Sequence, residues 1–295
     1  MASKSMSDSH DKRAITSAVV FYNESKPEAV KTLQVVTKAL KARGVRVWLG
    51  KSASVIEKLR LADIAVALGG DGTMLRAARL LAPHSIPLLG VNSGGLGFLS
   101  GTDASEFSKD CDAILRGEFV LEERWMIQVE VMRGNKRLFG PNIALNDCVI
   151  RCGDQARAIM LRTRSDEHFM ADYFGDGLIV STPTGSTAYN LAAMGPIVDP
   201  SLNVLLITPI CPHTLTQRPL IIPAADPLTI TLTVRREQEE APRVLMSLDG
   251  QLGCALKVGD EVRISRYQKP FKLLLNPKRS YYEVLHAKLK WGERG

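Results

Sequence analysis

Apolar residues in the first third of the chain fall in short unbroken runs, and beyond about residue 118 they fall at every second position. Ser17 to Phe21 and Val45 to Leu49 have strand length, and Ile64 to Leu68 and Ile86 to Val91 are apolar enough for full burial. Runs of this kind separated by helices predict a parallel sheet covered on both faces. Pro27 suits a first helical turn, Val30, Leu33, Val36 and Leu40 share one helical face, and Gly44 is placed to stop that helix. A second helical stretch runs through Leu81. Further on, Trp125, Ile127, Val129 and Val131 alternate with Met126, Gln128 and Glu130. Leu228, Ile230, Leu232 and Val234 alternate with threonines, and Val262 and Ile264 repeat the pattern. A period of two predicts antiparallel strands, hence a β-rich second domain. Tyr281 to Trp291 reads as a helix that packs back on the first domain. The expected division is a disordered segment 1–14, an α/β domain 15–118, a β-rich domain 119–275 and a returning C-terminal segment 276–295.

Composition narrows the class. No window is apolar enough for a membrane span, and Met1 to Arg13 lacks the apolar core of a secretory signal. The five cysteines (Cys111, Cys148, Cys152, Cys211, Cys254) are odd in number and widely spread, which points to reduced thiols and a cytoplasmic location. Cys148 and Cys152 lie in a strand and its turn, with no clustered His or second Cys pair to make a metal site. The chain carries 38 Lys and Arg against 31 Asp and Glu, a net +7 with pI about 9.2. That excess suits an anionic ligand. The basic residues are dispersed apart from short clusters such as Arg235-Arg236, and no nucleic-acid-binding motif accompanies them. Phosphate-bearing small molecules fit the charge, and neither a nucleic acid nor a membrane is expected as partner.

Two segments carry most of the chemistry. Gly69-Gly70-Asp71-Gly72-Thr73 follows a buried run and precedes a helix. Glycines at a strand-to-helix turn let backbone amides approach a phosphate, and the helix start adds partial positive charge. An aspartate there repels phosphate, so its presence suggests a proton acceptor for a hydroxyl nucleophile, or a metal ligand. The loop is neither a Walker A sequence nor a dinucleotide fingerprint. An Asp-capped turn is the alternative reading of these five residues.

The second segment runs from Gly175-Asp176-Gly177 through Ser181-Thr182-Pro183-Thr184-Gly185-Ser186-Thr187-Ala188-Tyr189-Asn190. It packs hydroxyls and amides into little space, as a ribose or diphosphate would require, and Tyr189 offers a flat face. Ala144-Leu145-Asn146-Asp147 sets an amide beside a carboxylate, able to grip ribose hydroxyls or an adenine edge, although such a pair is also common in turns. In Pro209-Ile210-Cys211-Pro212-His213-Thr214-Leu215 the lone His213 is expected to be structural.

Together these segments resemble the NAD kinase family. The Gly69 to Thr73 loop comes first, then Gly90-Val91-Asn92 with Leu96-Gly97-Phe98-Leu99, then Ala144 to Asp147. The Gly175 to Asn190 stretch, Gly195-Pro196-Ile197-Val198, Pro212 to Leu215 with Arg218-Pro219-Leu220, and Asp249-Gly250-Gln251 follow in the family's order, from about residue 17 to Trp291. The first loop is shared with lipid kinases of the diacylglycerol type and, more loosely, phosphofructokinases. The Ser181 to Asn190 stretch is the specific part.

The resemblance implies an N-terminal Rossmann-like α/β domain followed by a C-terminal β-sandwich-like domain. It also implies transfer of the γ-phosphoryl group of ATP to the adenosine 2′-hydroxyl of NAD to give NADP, with Mg²⁺ or another divalent metal held largely through ATP oxygens. A homodimer or homotetramer is implied as well. Carried over by motif, Asp71 would be the general base, Gly70, Gly72 and neighbouring amides would cradle phosphate, and Arg76 would reach it. Asn146 and Asp147 would hold dinucleotide hydroxyls or base, with Arg157 as a charge partner. Asp176 would contact the nicotinamide end, Thr187, Ala188, Tyr189, Asn190, Leu191 and Ala192 would line the adenosine region, and Gln251 would close the site.

Three positions depart from the family's commoner pattern: Asp147 in place of Glu, Phe174 in place of a basic residue, and Met194 in place of a second glycine. They leave affinity and the choice between NAD and NADH open. A diacylglycerol-type lipid kinase would need an apolar acceptor cleft or a membrane-facing amphipathic patch, and the sequence displays neither. A non-catalytic nucleotide-binding regulator would be favoured by loss of the loop aspartate, which is present. Nucleic-acid binding would require a steeply salt-dependent affinity.

Overall fold

The structure is a computed structural model that describes residues 15–50, 54–92, 97–153, 158–233 and 243–292. Residues 1–14, Leu96, Arg157, Val234 and the Arg235-Arg236 pair lie outside the described residues. The chain opens with β1 (Ser17–Tyr22), α1 (Pro27–Lys41), β2 (Arg46–Leu49), α2 (Ser54–Leu59) and β3 (Ile64–Leu68). It continues with α3 (Asp71–Leu81), β4 (Leu88–Asn92), β5 (Thr102–Asp103), α4 (Phe107–Leu115) and β6 (Val120–Arg124). Strands β7 (Ile127–Arg133), β8 (Lys136–Ala144), β9 (Asp147–Cys152), β10 (Ile159–Ser165) and β11 (His168–Ser181) follow, then α5 (Tyr189–Ala192). Next come β12 (Val204–Pro212), β13 (Leu220–Pro223), β14 (Leu228–Thr233), β15 (Val244–Leu248), β16 (Leu252–Leu256) and β17 (Glu261–Arg266). The last elements are β18 (Phe271–Leu275) and α6 (Tyr281–Leu289).

The described residues divide into two compact units, one of residues 15–123 with 271–292 and the other of residues 124–270. The first sheet has the order β2-β1-β3-β4-β18-β6, with β5 added on β4, and its core pairings are parallel. All five residues of β3 are buried, because helices cover both faces of a parallel sheet. At the end of α1, Val45 N–H bonds to Leu40 O, Gly44 N–H bonds to Lys41 O, and Gly44 takes φ +77°. This is the left-handed helix stop that a glycine supplies without steric cost. The buried face of α1 is Ala29, Thr32, Val36, Ala39 and Leu40, so Val30 turns outward and the expected face is rotated. Small Ala and Thr side chains bring the helix close to the sheet, an arrangement that large apolar residues alone do not reveal.

The expected boundaries at 118/119 and 275/276 shift. Strand β18 lies beside β4 with β6 beyond it, so residues 119–123 and 271–275 belong to the first unit. Backbone pairing decides this: β18 aligns in parallel with β4 through Leu273 and Leu274.

The second unit is one eleven-stranded sheet, ordered β16-β15-β9-β11-β10-β14-β17-β7-β8, with β12 on β11 and β13 on β12. Of the period-two residues, Ile127, Val129, Val131, Leu228, Ile230, Leu232, Val262 and Ile264 share one core, but the alternation begins only at Ile127: Met126 is buried, and Trp125, which precedes β7, is half-buried under Arg266. Hydrogen bonding links all eleven strands and their inner side chains share that core, so the sheet is nearly barrel-like. The long strand β11 pairs with β10 along its first half and with β9 and β12 along its second. Two glycines permit this crowding. A β-carbon at Gly175 would lie 2.7 Å from Cys211 O, and one at Gly177 would lie 2.3 Å from Ile150 O. The strand ends at Ser181, delivering the hydroxyl-rich loop next to the corner between β8 and β9.

Candidate active site

In the first unit, β3 runs into Gly69 and Gly70, and Asp71 is the first residue of α3. Gly69 has φ +132°, a conformation that side-chain-bearing residues rarely adopt, and its N–H bonds to Val91 O. Gly70 and Gly72 are exposed, and no atom would obstruct a β-carbon at Gly70, so the turn is open to a ligand. Asp71 is half-buried, and burial raises its pKa above the ordinary carboxylate value while the charge of Lys288 on α6 opposes the rise. A carboxylate that holds a proton more tightly than usual is the better base. The side chains of Asp71, Asn92 and Ser100 gather around Gly97. A β-carbon at Gly97 would lie 3.0 Å from Asp71 Oδ1, 3.3 Å from Ser100 Oγ and 3.5 Å from Asn92 Nδ2. The Ser100 hydroxyl accepts from Gly97 N–H at 2.8 Å, which fixes the loop. Arg76 is exposed on α3.

In the second unit, Asn146, Asp147, Ala188, Tyr189 and Gln251 line one cavity of about 810 Å³, floored by β9, β15 and β16. Its wall also includes Arg151, Arg243, Ser247, Asp249 and Cys254. The corner bearing Asn146 and Asp147 is held from two sides. Thr182 donates through its hydroxyl to Leu145 O at 2.6 Å and through its N–H to Asn146 O at 2.8 Å. A β-carbon at Gly185 would lie 2.2 Å from Asn146 O, so the glycine lets the hydroxyl-rich loop close on the corner. On the other side the Asp249 carboxylate accepts from the N–H groups of Leu145, Asn146 and Asp147 at 3.2, 2.8 and 3.3 Å. Asp147 is 5% exposed, and no protein hydrogen bond to its carboxyl occurs among the described residues. Burial, aided by the negative charge of Asp249, pushes its pKa up to about 7.

Not every expected site residue faces that cavity. Asn190 is fully buried. Its amide donates to Ser186 O and Pro196 O at 3.1 Å each and its carbonyl accepts from the Thr208 hydroxyl at 2.6 Å, so it braces the loop. Thr187, Leu191 and Ala192 flank Tyr189 without joining the cavity wall. Asp176 is exposed on β11 beside Cys211, whose thiol pKa its charge raises. Arg157 lies outside the described residues. His213 is exposed and stacks edge-on against Phe174 with centroids 5.0 Å apart. Met194 sits at φ +64°, which explains why glycine suits that position. Asp249, Ser100 and Lys288 were missing from the expected site: each meets it from a distant part of the sequence, and only the turn-like Asp249-Gly250-Gln251 gave any signal.

A strand–turn–helix loop with a half-buried carboxylate at the helix start accompanies a cavity lined by carboxylates and amides. Each of these features suits a phosphotransferase that acts on a hydroxyl-bearing small molecule. The ATP-NAD kinase N-terminal domain model matches residues 18–119, and the ATP-NAD kinase C-terminal domain model matches residues 145–275. An NAD kinase of Geobacter metallireducens is 46% identical over 247 residues, 83% of this chain and 85% of that protein. One from Syntrophobacter fumaroxidans is 41% identical over 283 residues, 93% of this chain and 98% of that protein. The chain belongs to the NAD kinase family. Among solved structures, an NAD kinase from Archaeoglobus fulgidus in complex with ATP matches with TM-score 0.74 at 25% identity, covering 91% of this chain and 98% of that one. Yeast NADH kinase complexed with NADH shares the fold, with TM-score 0.85 at 23% identity over 96% of this chain and 90% of that one.

Proposed function

We propose that this protein is an ATP-dependent NAD kinase that transfers the γ-phosphoryl group of ATP to the adenosine 2′-hydroxyl of NAD, with Asp71 as general base. The observation that carries the reading is Asp71 itself, a half-buried carboxylate of raised proton affinity at the first position of α3, directly after the open Gly69-Gly70 turn. A ribose hydroxyl is a poor nucleophile near neutral pH, and a carboxylate placed to take its proton helps the attack. Alignment of the hydroxyl with the γ-phosphate contributes more, together with neutralisation of the transferring charge. The turn amides and the start of α3 supply part of that neutralisation. In the second unit, Asn146, Asp147 and Tyr189 present an amide, a carboxyl and a flat ring to one cavity, a set suited to a nucleoside.

A divalent metal belongs to the same reading. Among the described residues no cluster of three or more His, Cys, Asp or Glu side chains is placed to hold one. The donors gathered at Gly97 are one carboxylate, one amide and one hydroxyl. That set fits a metal that arrives on ATP oxygens, to which Asp71 adds at most one ligand; when bound, the metal withdraws charge from the phosphoryl oxygens. Self-association into a homodimer or homotetramer is also part of the reading. It is supported by β13, which pairs only with β12 among the described residues and leaves Leu220 and Ile221 44% and 45% exposed. The reading places the enzyme in the cytoplasm, supported by free cysteines throughout the described residues. Purified protein given NAD⁺, ATP and Mg²⁺ should form NADP⁺, read through an NADP⁺-specific dehydrogenase. NAD binding by calorimetry without any product would overturn the kinase reading in favour of a binding regulator.

A further inference from the structure

Asp249 lines the cavity, and its carboxylate is bonded to backbone N–H groups of the β8–β9 corner. It occupies the turn between β15 and β16 at φ +50°, followed by Gly250 at φ +64°. The same turn closes through Gln251 N–H to Leu248 O at 2.9 Å. Left-handed backbone at both central residues matches the strand twist and aims the Asp249 side chain at the β8–β9 corner. There it gathers three consecutive amides, and its own N–H returns a bond to Asp147 O at 3.0 Å. Those amides lie 102 to 104 residues away in sequence: Leu145 and Asn146 form the corner between β8 and β9, and Asp147 opens β9 opposite Ser181. A carboxylate accepting several N–H groups makes charge-assisted bonds, stronger than neutral ones.

We propose that Asp249 is a positioning residue for dinucleotide binding: its three-amide cap fixes the corner from which Asn146 and Asp147 reach the ligand. This rests on reading the cavity as the seat of the dinucleotide. A second consequence follows from the proximity of the two carboxyls. Among the described residues, the titratable and charged groups that share the cavity wall or strand with Asp147 are Asp249 on the β15–β16 turn, Tyr189 on α5, Arg151 on β9, Arg243 ahead of β15, and the thiols of Cys148 and Cys254. Of these, Asp249 is the group whose charge acts on the Asp147 carboxyl. Asp249 therefore sets the shape of the corner and also the pH at which Asp147 ionises.

The test is steady-state kinetics of the full chain and of Asp249→Asn across pH 5.5 to 8.5, with NAD and ATP varied separately. The Asn side chain keeps one acceptor oxygen but turns an N–H toward the amides. The KM for NAD should rise about tenfold, as expected for loss of a charge-assisted cap. The kcat should fall less than the KM rises, and the KM for ATP should hold. The break in the pH profile of the KM for NAD should move to lower pH, because Asp147 no longer faces a second negative charge. A folded variant with an unchanged KM for NAD and an unshifted profile overturns the proposal. So does an equal loss in KM for both substrates and in kcat, which marks general disruption. If Asp249→Asn does not fold, Asp249→Ser keeps one acceptor at the turn and permits the same comparison. Failure of the underlying reading looks different: Asn146→Ala would then leave the KM for NAD untouched.

Discussion

Replacing Asp147 by Asn should stabilise the ligand-free protein, by an amount that grows as pH rises. The Asp147 carboxyl is 5% exposed, faces the charge of Asp249, and titrates at about 7 in place of 3.8. The folded chain thus holds this proton more tightly than the unfolded chain. The stabilisation linked to it is complete below about pH 3.8 and is lost as pH rises through about 7. At about 1.4 kcal/mol for each tenfold change in proton affinity, the whole effect is about 4 kcal/mol. Asparagine has the same shape and no proton to lose, so the variant escapes this loss. Urea unfolding of both proteins, followed by circular dichroism at pH 5, 6, 7 and 8, measures the difference. Between the extremes it should widen by about 2–3 kcal/mol in favour of Asn. A difference that does not change with pH, or that widens in favour of Asp, would refute the argument that burial beside Asp249 raises the Asp147 pKa.

Two substitutions probe the loops that frame the cavity. Gly185→Ala drives a methyl group to 2.2 Å from Asn146 O and 2.5 Å from Ser181 Oγ. It should cost about 1–3 kcal/mol of stability and raise the KM for NAD; unchanged thermal unfolding with unchanged KM would show that the corner yields freely. Met194→Gly places glycine at φ +64° and removes a side chain that is 86% exposed. Relief of left-handed strain outweighs the added freedom of the unfolded chain, for a gain of about 0.5–1 kcal/mol, and a lowered melting temperature would contradict this.

Much of the fold was legible because burial leaves a periodic trace. The unbroken run Ile64 to Leu68 marked a covered parallel strand, and the alternation at Ile127 to Val131 and Leu228 to Leu232 marked a sheet with one buried face. Pro27 and Gly44 bracketed α1 because each has a backbone preference of its own. The return of β18 to the first sheet was not legible, since Phe271 to Leu275 carries no label saying which sheet its backbone will pair with. At the candidate site, short-range motifs located Asp71, Asn146, Asp147 and Tyr189. The motif groups Asn190 with its neighbours as a ligand contact, whereas its side-chain amide bonds to Ser186, Pro196 and Thr208. The role of Asp249 was not legible for the opposite reason: Asp-Gly reads locally as a hairpin turn, and the amides it holds lie more than a hundred residues away.

The proposed reaction has Asp71 take the proton from the acceptor hydroxyl. Its most direct test is the kcat for NADP⁺ formation by Asp71→Asn, measured beside the calorimetric affinity of the same variant for NAD. The expected result is a loss of at least ~10²–10⁴-fold in kcat with NAD binding retained. Turnover close to that of the unaltered protein would contradict it.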